Sequence, residues 1–252
     1  MLFDSIVYGP IRSRRLGMSL GVNLMPTTAK LCTFDCVYCE CGWNQPVSHP
    51  VLPNREEVYI SLELQLSTLN SQLDVITFSG NGEPTLHPEF FGIIQDTCAL
   101  RNQYCPNAKI SVLSNSTQLG RPDVVEALRL CDNRILKLDS AIDATMQLID
   151  KPVNPRLTVE QIVQRLSLFD GEFTLQTCFL RGEYEGQVID NTTSEELAAW
   201  YNIIDRLHPK QVMIYVIDRA TPLKTLSKVP APEMEVIAAP LRAKGIDVIV
   251  CA

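Results

Sequence analysis

The chain has 252 residues, with 22 Lys and Arg against 29 Asp and Glu, a formal net charge of −7. With 46% hydrophobic and 20% charged residues it can bury a sizeable core, which excludes disorder as the dominant state. The acidic balance excludes a surface coated for nucleic acid, though a local basic patch remains open. No run approaches the roughly 20 apolar residues of a membrane helix, and the opening MLFDSIVYGPIRSRR lacks a basic-then-apolar leader, so secretion is not expected.

In chain order, residues 1–18 read as an appendage. Six apolar, β-rich runs follow, starting at Ser19 (SLGVNLM), Asp74 (DVITF), Lys109 (KISVLS), Arg134 (RILKLD), Phe173 (FTLQTCF) and Gln211 (QVMIYVI). Most are nearly continuous in apolar residues, as strands buried on both faces of a parallel sheet are. Helical periodicity fills the gaps. One helix starts at Arg55, one follows Pro88 and one follows Pro122, both prolines suiting the first helical position. A fourth begins at Thr158 with Gln161 three residues on, as in a capping box. A fifth repeats that logic with Thr193 or Ser194 before Glu196. The last, PEMEVIAAPLRAKG, is expected to be interrupted at Pro240, and IDVIVC is a short seventh strand. The loop 40–54 and the segment 223–252 read as attachments to one domain.

Alternating β and α units specify a parallel sheet with right-handed crossovers. Six or seven units are fewer than the eight of a full barrel. The expected fold is therefore α/β, a partial (β/α)6 TIM-like barrel in a single domain over 1–252, with a doubly wound sheet as the alternative.

Nine cysteines in a chain without a leader do not form a disulfide framework. Cys98, Cys105, Cys131, Cys178 and Cys251 are scattered among apolar residues and read as small buried hydrophobes. Cys32, Cys36 and Cys39, directly after the first run, have the spacing Cys-x-x-x-Cys-x-x-Cys. Three soft thiolates wrapped around a common centre suit zinc or an iron–sulfur cluster, with one coordination position left open. Cys41 is either a further ligand or a nearby loop thiol.

This triad, with Tyr38 immediately before its third cysteine, resembles the signature of the radical S-adenosylmethionine (SAM) superfamily. The resemblance implies a 4Fe–4S cluster on Cys32, Cys36 and Cys39, with SAM chelating the unique iron. It also implies reductive cleavage of SAM and abstraction of a hydrogen atom from a substrate by the resulting 5′-deoxyadenosyl radical. Such chemistry belongs to the cofactor, which the protein binds, orients and shields.

Polar residues at the other strand ends support the resemblance, since barrel sites gather there. Ser79-Gly80-Asn81-Gly82-Glu83-Pro84 resembles the family's Gly-Gly-Glu segment, with Asn81 in place of the first glycine. In the family this segment binds the SAM ammonium, and a carboxylate such as Glu83 suits a cation. Ser114, Asn115 and Asp139 are implied contacts of the ribose and SAM carboxylate, although turns and caps use the same residue types. Gln176, within an apolar run, is read as facing inward, and Ile217 or Val216 as packing on adenine. Tyr38 and Gly82 complete the SAM set. Lys137 either faces the cavity to meet a substrate carboxylate or carbonyl, or sits at the rim. His87 reads as a turn residue.

The run from Tyr8 to Gly17, with GNGEPTLHPE and LDSAIDATMQLIDKP, resembles one subgroup: wyosine-type tRNA-modifying enzymes and their short uncharacterised bacterial relatives. Residues 1–31 carry no cysteine, so the second upstream cluster of the wyosine enzymes has no ligands in that segment. Arg12, Arg14 and Arg15 either hold a substrate phosphate or carboxylate, or pin the N-terminal segment. The function expected is that of a radical SAM enzyme acting on RNA, a peptide or protein (including glycyl-radical activation) or a small molecule. Its electron donor would be a flavodoxin or ferredoxin and its location a reducing cytoplasm. The contrasting reading is a non-catalytic, zinc-stabilised module.

Overall fold

In a computed structural model, which describes residues 2–46, 48–69 and 72–252, the chain divides into two compact units. The first is Met1–Cys32 with Asn44–Ile135; the second is Thr33–Trp43 with Leu136–Ala252.

The first unit opens with an antiparallel hairpin of β1 (Val7–Ser13) and β2 (Gly17–Val22). β1 lies within the segment expected to be an appendage. The pairing slips between Tyr8 and Ile11, across Gly9-Pro10, a bulge that accommodates a residue without an N–H. α1 (Arg55–Thr68) comes next, followed by β3 (Val75–Phe78), α2 (Phe90–Tyr104), β4 (Lys109–Ser114) and α3 (Pro122–Leu130). β2, β3 and β4 pair in parallel, with Leu20 beside Ile76 and Ile76 beside Ile110. All three of those side chains are fully buried, as continuous apolar runs require. Val58, Leu62 and Leu66 form the buried stripe of α1, spaced at four residues. Asn54 and Glu57 close a capping box at its start. α2 begins at Phe90 rather than straight after Pro88, because the Glu89 N–H goes to Nδ1 of His87.

β5 (Asn133–Lys137) runs across the division between the units. In the second unit follow α4 (Asp143–Asp150), α5 (Val159–Leu166), β6 (Thr174–Cys178), β7 (Leu180–Tyr184), β8 (Gln187–Asp190) and α6 (Ser194–Leu207). β9 (Gln211–Tyr215), β10 (Ser227–Lys228), α7 (Ala231–Ala243) and β11 (Asp247–Cys251) complete it. β6, β9 and β11 pair in parallel, so the seventh strand forms as expected. The capping box at Thr158 and Gln161 is present, and Thr193 caps α6.

Three further features depart from the sequence reading. α4 was not expected; it is short, and its buried face is Met146, Ile149 and Asp150. β10, β7 and β8 form a separate antiparallel sheet whose hairpin turns on Glu185 and Gly186, both at positive φ. α7 also continues through Pro240 instead of being interrupted there. The carbonyl that Pro240 leaves unpaired belongs to Val236, on the exposed face of the helix, where water can accept the role.

Candidate functional site

In the first unit the loops after β2, β3 and β4 meet. Leu31, next to Cys32, forms a bridge with Gly82: the Leu31 N–H donates to the Asn81 carbonyl and the Glu83 N–H to the Leu31 carbonyl. The approach is so close that a Cβ on Gly82 would stand 1.8 Å from the Leu31 oxygen. Asn81 is fully buried. Its Nδ2 donates to the carbonyls of Phe3 and Pro26 and its Oδ1 accepts from the Phe3 N–H, so its side chain fastens the loop from within.

Glu83 is also buried. Its Oε2 accepts the Asn115 N–H at 2.7 Å, and its Oε1 accepts from the Thr85 N–H and hydroxyl. Burial pushes the Glu83 carboxyl above its ordinary range, against the pull of the donors on Asn115, Thr85 and Ser114. Asn115 points its Nδ2 at Cys32 Sγ, 3.5 Å away, and Ser114 Oγ accepts the Ser116 N–H. Cys32, Gly82, Glu83, Ser114 and Asn115 are thereby gathered in one place. Arg12 and Arg14 are exposed and Arg15 half-buried at the tip of the β1–β2 hairpin.

In the second unit the segment carrying Cys36 and Cys39 is strapped to α4. Asp35 N–H donates to the Asp150 carbonyl and Val37 N–H to that of Ile149. The Cys39 N–H donates to the Cys36 carbonyl and the Gly42 N–H to that of Cys39, so two successive turns carry these thiols. Tyr38 donates its hydroxyl to Asp139 Oδ2, while Asp139 Oδ1 accepts the Cys178 N–H at 2.9 Å. Burial, and then the Asp139 carboxylate, push the Tyr38 phenol well above its ordinary value. Ile217 packs with Tyr38, Trp43 and Tyr215 against a core of Val37, Ile149 and Cys178. Gln176 is buried, with Nε2 3.5 Å from Met213 Sδ.

Lys137 does not sit at the rim. It is buried, with Nζ 2.7 Å from Asp150 Oδ1, 3.0 Å from Asp139 Oδ2 and 2.9 Å from Cys36 Sγ. Burial opposes its charge, but the two carboxylates outweigh that and hold the ammonium well above the usual lysine range. Asp150 escaped notice in the sequence. The available signal was an aspartate on the apolar face at the C-terminal end of a helix, where the dipole disfavours an anion and a buried cation must compensate.

The donor chemistry fits a soft metal centre. None of the nine cysteines is in a disulfide; Cys36 is buried, and Cys32, Cys39 and Cys41 are half-buried. A thiolate is favoured by donors aimed at sulfur, and Cys32 and Cys36 each face one, from Asn115 and Lys137. Among the described residues, no group of three or more His, Cys, Asp or Glu side chains is already drawn together as a metal site. None of the described helices is long and apolar enough to cross a membrane.

Parallel strands with helices between them, and a cysteine loop after the first of those strands, define an α/β protein with its polar groups at strand ends. The model of the radical SAM superfamily matches residues 27–190. A UPF0026 protein of Helicobacter pylori strain J99 is 30% identical over 222 residues, 87% of this chain and 68% of the relative. The chain belongs to the radical SAM superfamily, and membership implies an enzyme. SuiB of Streptococcus suis, solved with S-adenosylmethionine, aligns at a TM-score of 0.65 and 10% identity over 89% of this chain and 48% of SuiB. SuiB solved with precursor peptide SuiA aligns equally well, at 11% identity. TYW1 with a lysine–pyruvate adduct aligns at 0.62 and 16% identity, over 89% of this chain and 73% of TYW1. These likenesses bear out the partial-barrel fold class. The chain spans about half the length of SuiB.

Proposed function

We propose that the protein is a radical SAM enzyme that holds one 4Fe–4S cluster on Cys32, Cys36 and Cys39 and binds SAM beside it. The observation that carries this reading is the double use of Asn115. Its Nδ2 faces the Cys32 sulfur and its N–H holds the buried Glu83 carboxylate. A soft metal ligand and an acid suited to an ammonium thus share one residue, as a cofactor chelating a cluster through its amino acid end requires.

Glu83 receives the SAM ammonium, on a loop that Asn81 and Gly82 hold against the cysteine segment. Ser114, Asn115 and Asp139 offer oxygen and nitrogen to the ribose and carboxylate. Ile217 provides an apolar surface for adenine. Gln176 adds a buried amide, and Tyr38 keeps Asp139 oriented. When bound, the cluster and SAM supply reductive cleavage of the sulfonium and hydrogen-atom abstraction. The protein's part is to orient the cofactor and exclude water. A flavodoxin or ferredoxin is the reductant that suits such a site, and a reducing cytoplasm the compartment that suits exposed iron.

The test is anaerobic reconstitution with iron and sulfide, followed by reduction in the presence of SAM. Brown protein that yields methionine and 5′-deoxyadenosine is expected, and Cys36→Ala should lose both properties. Unchanged turnover by that variant, or colourless zinc protein, defeats the reading. Deuterium carried from labelled RNA, peptides or small molecules into 5′-deoxyadenosine identifies the substrate class.

A further inference from the structure

The Lys137 ammonium donates to Cys36 Sγ at 2.9 Å, and two carboxyl groups stand at ion-pair distance from it, Asp139 Oδ2 at 3.0 Å and Asp150 Oδ1 at 2.7 Å. Its side chain is only 11% exposed, and the carboxylates are 0% and 2% exposed. Nζ also lies over the rings of Phe34, at 5.3 Å, and Tyr38, at 4.8 Å. A buried ammonium held by two carboxylates cannot leave without stranding both charges. The ammonium is therefore held beside the Cys36 sulfur, to which it donates.

Resting on the reading that Cys36 ligates the cluster, we propose that Lys137 is a positioning residue that sets the ease of cluster reduction. Hydrogen bonds to sulfur and local charge are the main protein levers on the potential of an iron–sulfur centre. An N–H donated to a ligand sulfur draws off electron density and favours the reduced state. The external one-electron donor supplies the electron, and the lysine keeps its protons throughout. Asp139 and Asp150 serve by anchoring the ammonium and by compensating its charge.

The experiment is an EPR-monitored redox titration of the anaerobically reconstituted protein without SAM. It compares wild type, Lys137→Met and the double variant Lys137→Met with Asp150→Asn. The double variant removes the ammonium together with the Asp150 carboxyl paired with it, so it tests the hydrogen bond at sulfur with less disturbance of local charge than Lys137→Met alone. At a fixed solution potential, the reduced-to-oxidised ratio is expected to fall at least tenfold in both variants, equivalent to 59 mV for one electron. A ratio in the double variant within twofold of wild type overturns the proposal. A wild type that forms no 4Fe–4S signal overturns the reading of the cysteine loop instead.

Discussion

The main-chain N–H of Asn115 donates to Oε2 of Glu83 at 2.7 Å, joining the loop after β3 to the end of β4. Both residues are buried, so the carboxyl takes its hydrogen bonds from fixed donors rather than from water. Burial still pushes its carboxyl upward, and an incoming ammonium would relieve that cost. Glu83→Gln keeps the shape and removes the charge. SAM affinity of the reconstituted protein should fall at least about tenfold, roughly 1.4 kcal/mol, with cluster content unchanged. Isothermal titration calorimetry beside an iron assay checks both.

Gly82 has φ +144°, and any Cβ there would collide with the carbonyl of Leu31, one residue before Cys32. Gly82→Ala is expected to cost about 1–3 kcal/mol from backbone strain alone, and the collision adds to that. Gly120 opens into space, so Gly120→Ala should stay within about 0.5 kcal/mol of wild type. Urea denaturation of the two variants measures the contrast, and equal midpoints would contradict it.

Much of this site was legible because its chemistry is local in sequence. The cysteine spacing and the Gly82-Glu83 pair need no tertiary information, and KISVLS reads directly as β4 because the strand is buried almost throughout. The setting of Lys137 was not legible. Its partner Asp150 lies 13 positions later on a helix too short to announce itself by periodicity. In sequence β1 reads as part of an appendage, because its antiparallel pairing with β2 carries a bulge across Gly9-Pro10 that only the folded hairpin reveals. Pro240 misled for a related reason. A proline is tolerated within a helix more readily where the carbonyl it orphans faces water, and exposure is a tertiary property.

Tyr38 precedes the third cysteine of the loop, and its hydroxyl ends on Asp139, whose other oxygen takes the Cys178 N–H. Tyr38→Phe removes a donor from a carboxylate that is fully buried. A loss of about 1–3 kcal/mol is expected. Lys137, still paired with Asp139, keeps the anion from being wholly uncompensated. A thermal or chemical melt of the apo protein reads the loss directly, and wild-type stability in the variant would show that the hydroxyl contributes nothing.

His87 gives the fold a pH dependence whose sign is fixed by geometry. Its Nδ1 accepts the Glu89 N–H at 3.1 Å, which leaves Nε2–H to donate to the Pro53 carbonyl at 2.8 Å, the neutral tautomer this network assigns. A proton on Nδ1 would face the Glu89 N–H directly. Burial, assisted by the nearby Arg121 charge, lowers the His87 value below the ordinary 6.5. The unfolded chain therefore takes up the proton more readily than the folded one. The neutral ring stabilises the fold fully above the unfolded value, and that contribution is lost as pH falls through it. Between pH 7.5 and pH 5.5 wild type should lose stability relative to His87→Gln, which keeps polar atoms but does not titrate. Parallel pH profiles for the two proteins would refute the assignment.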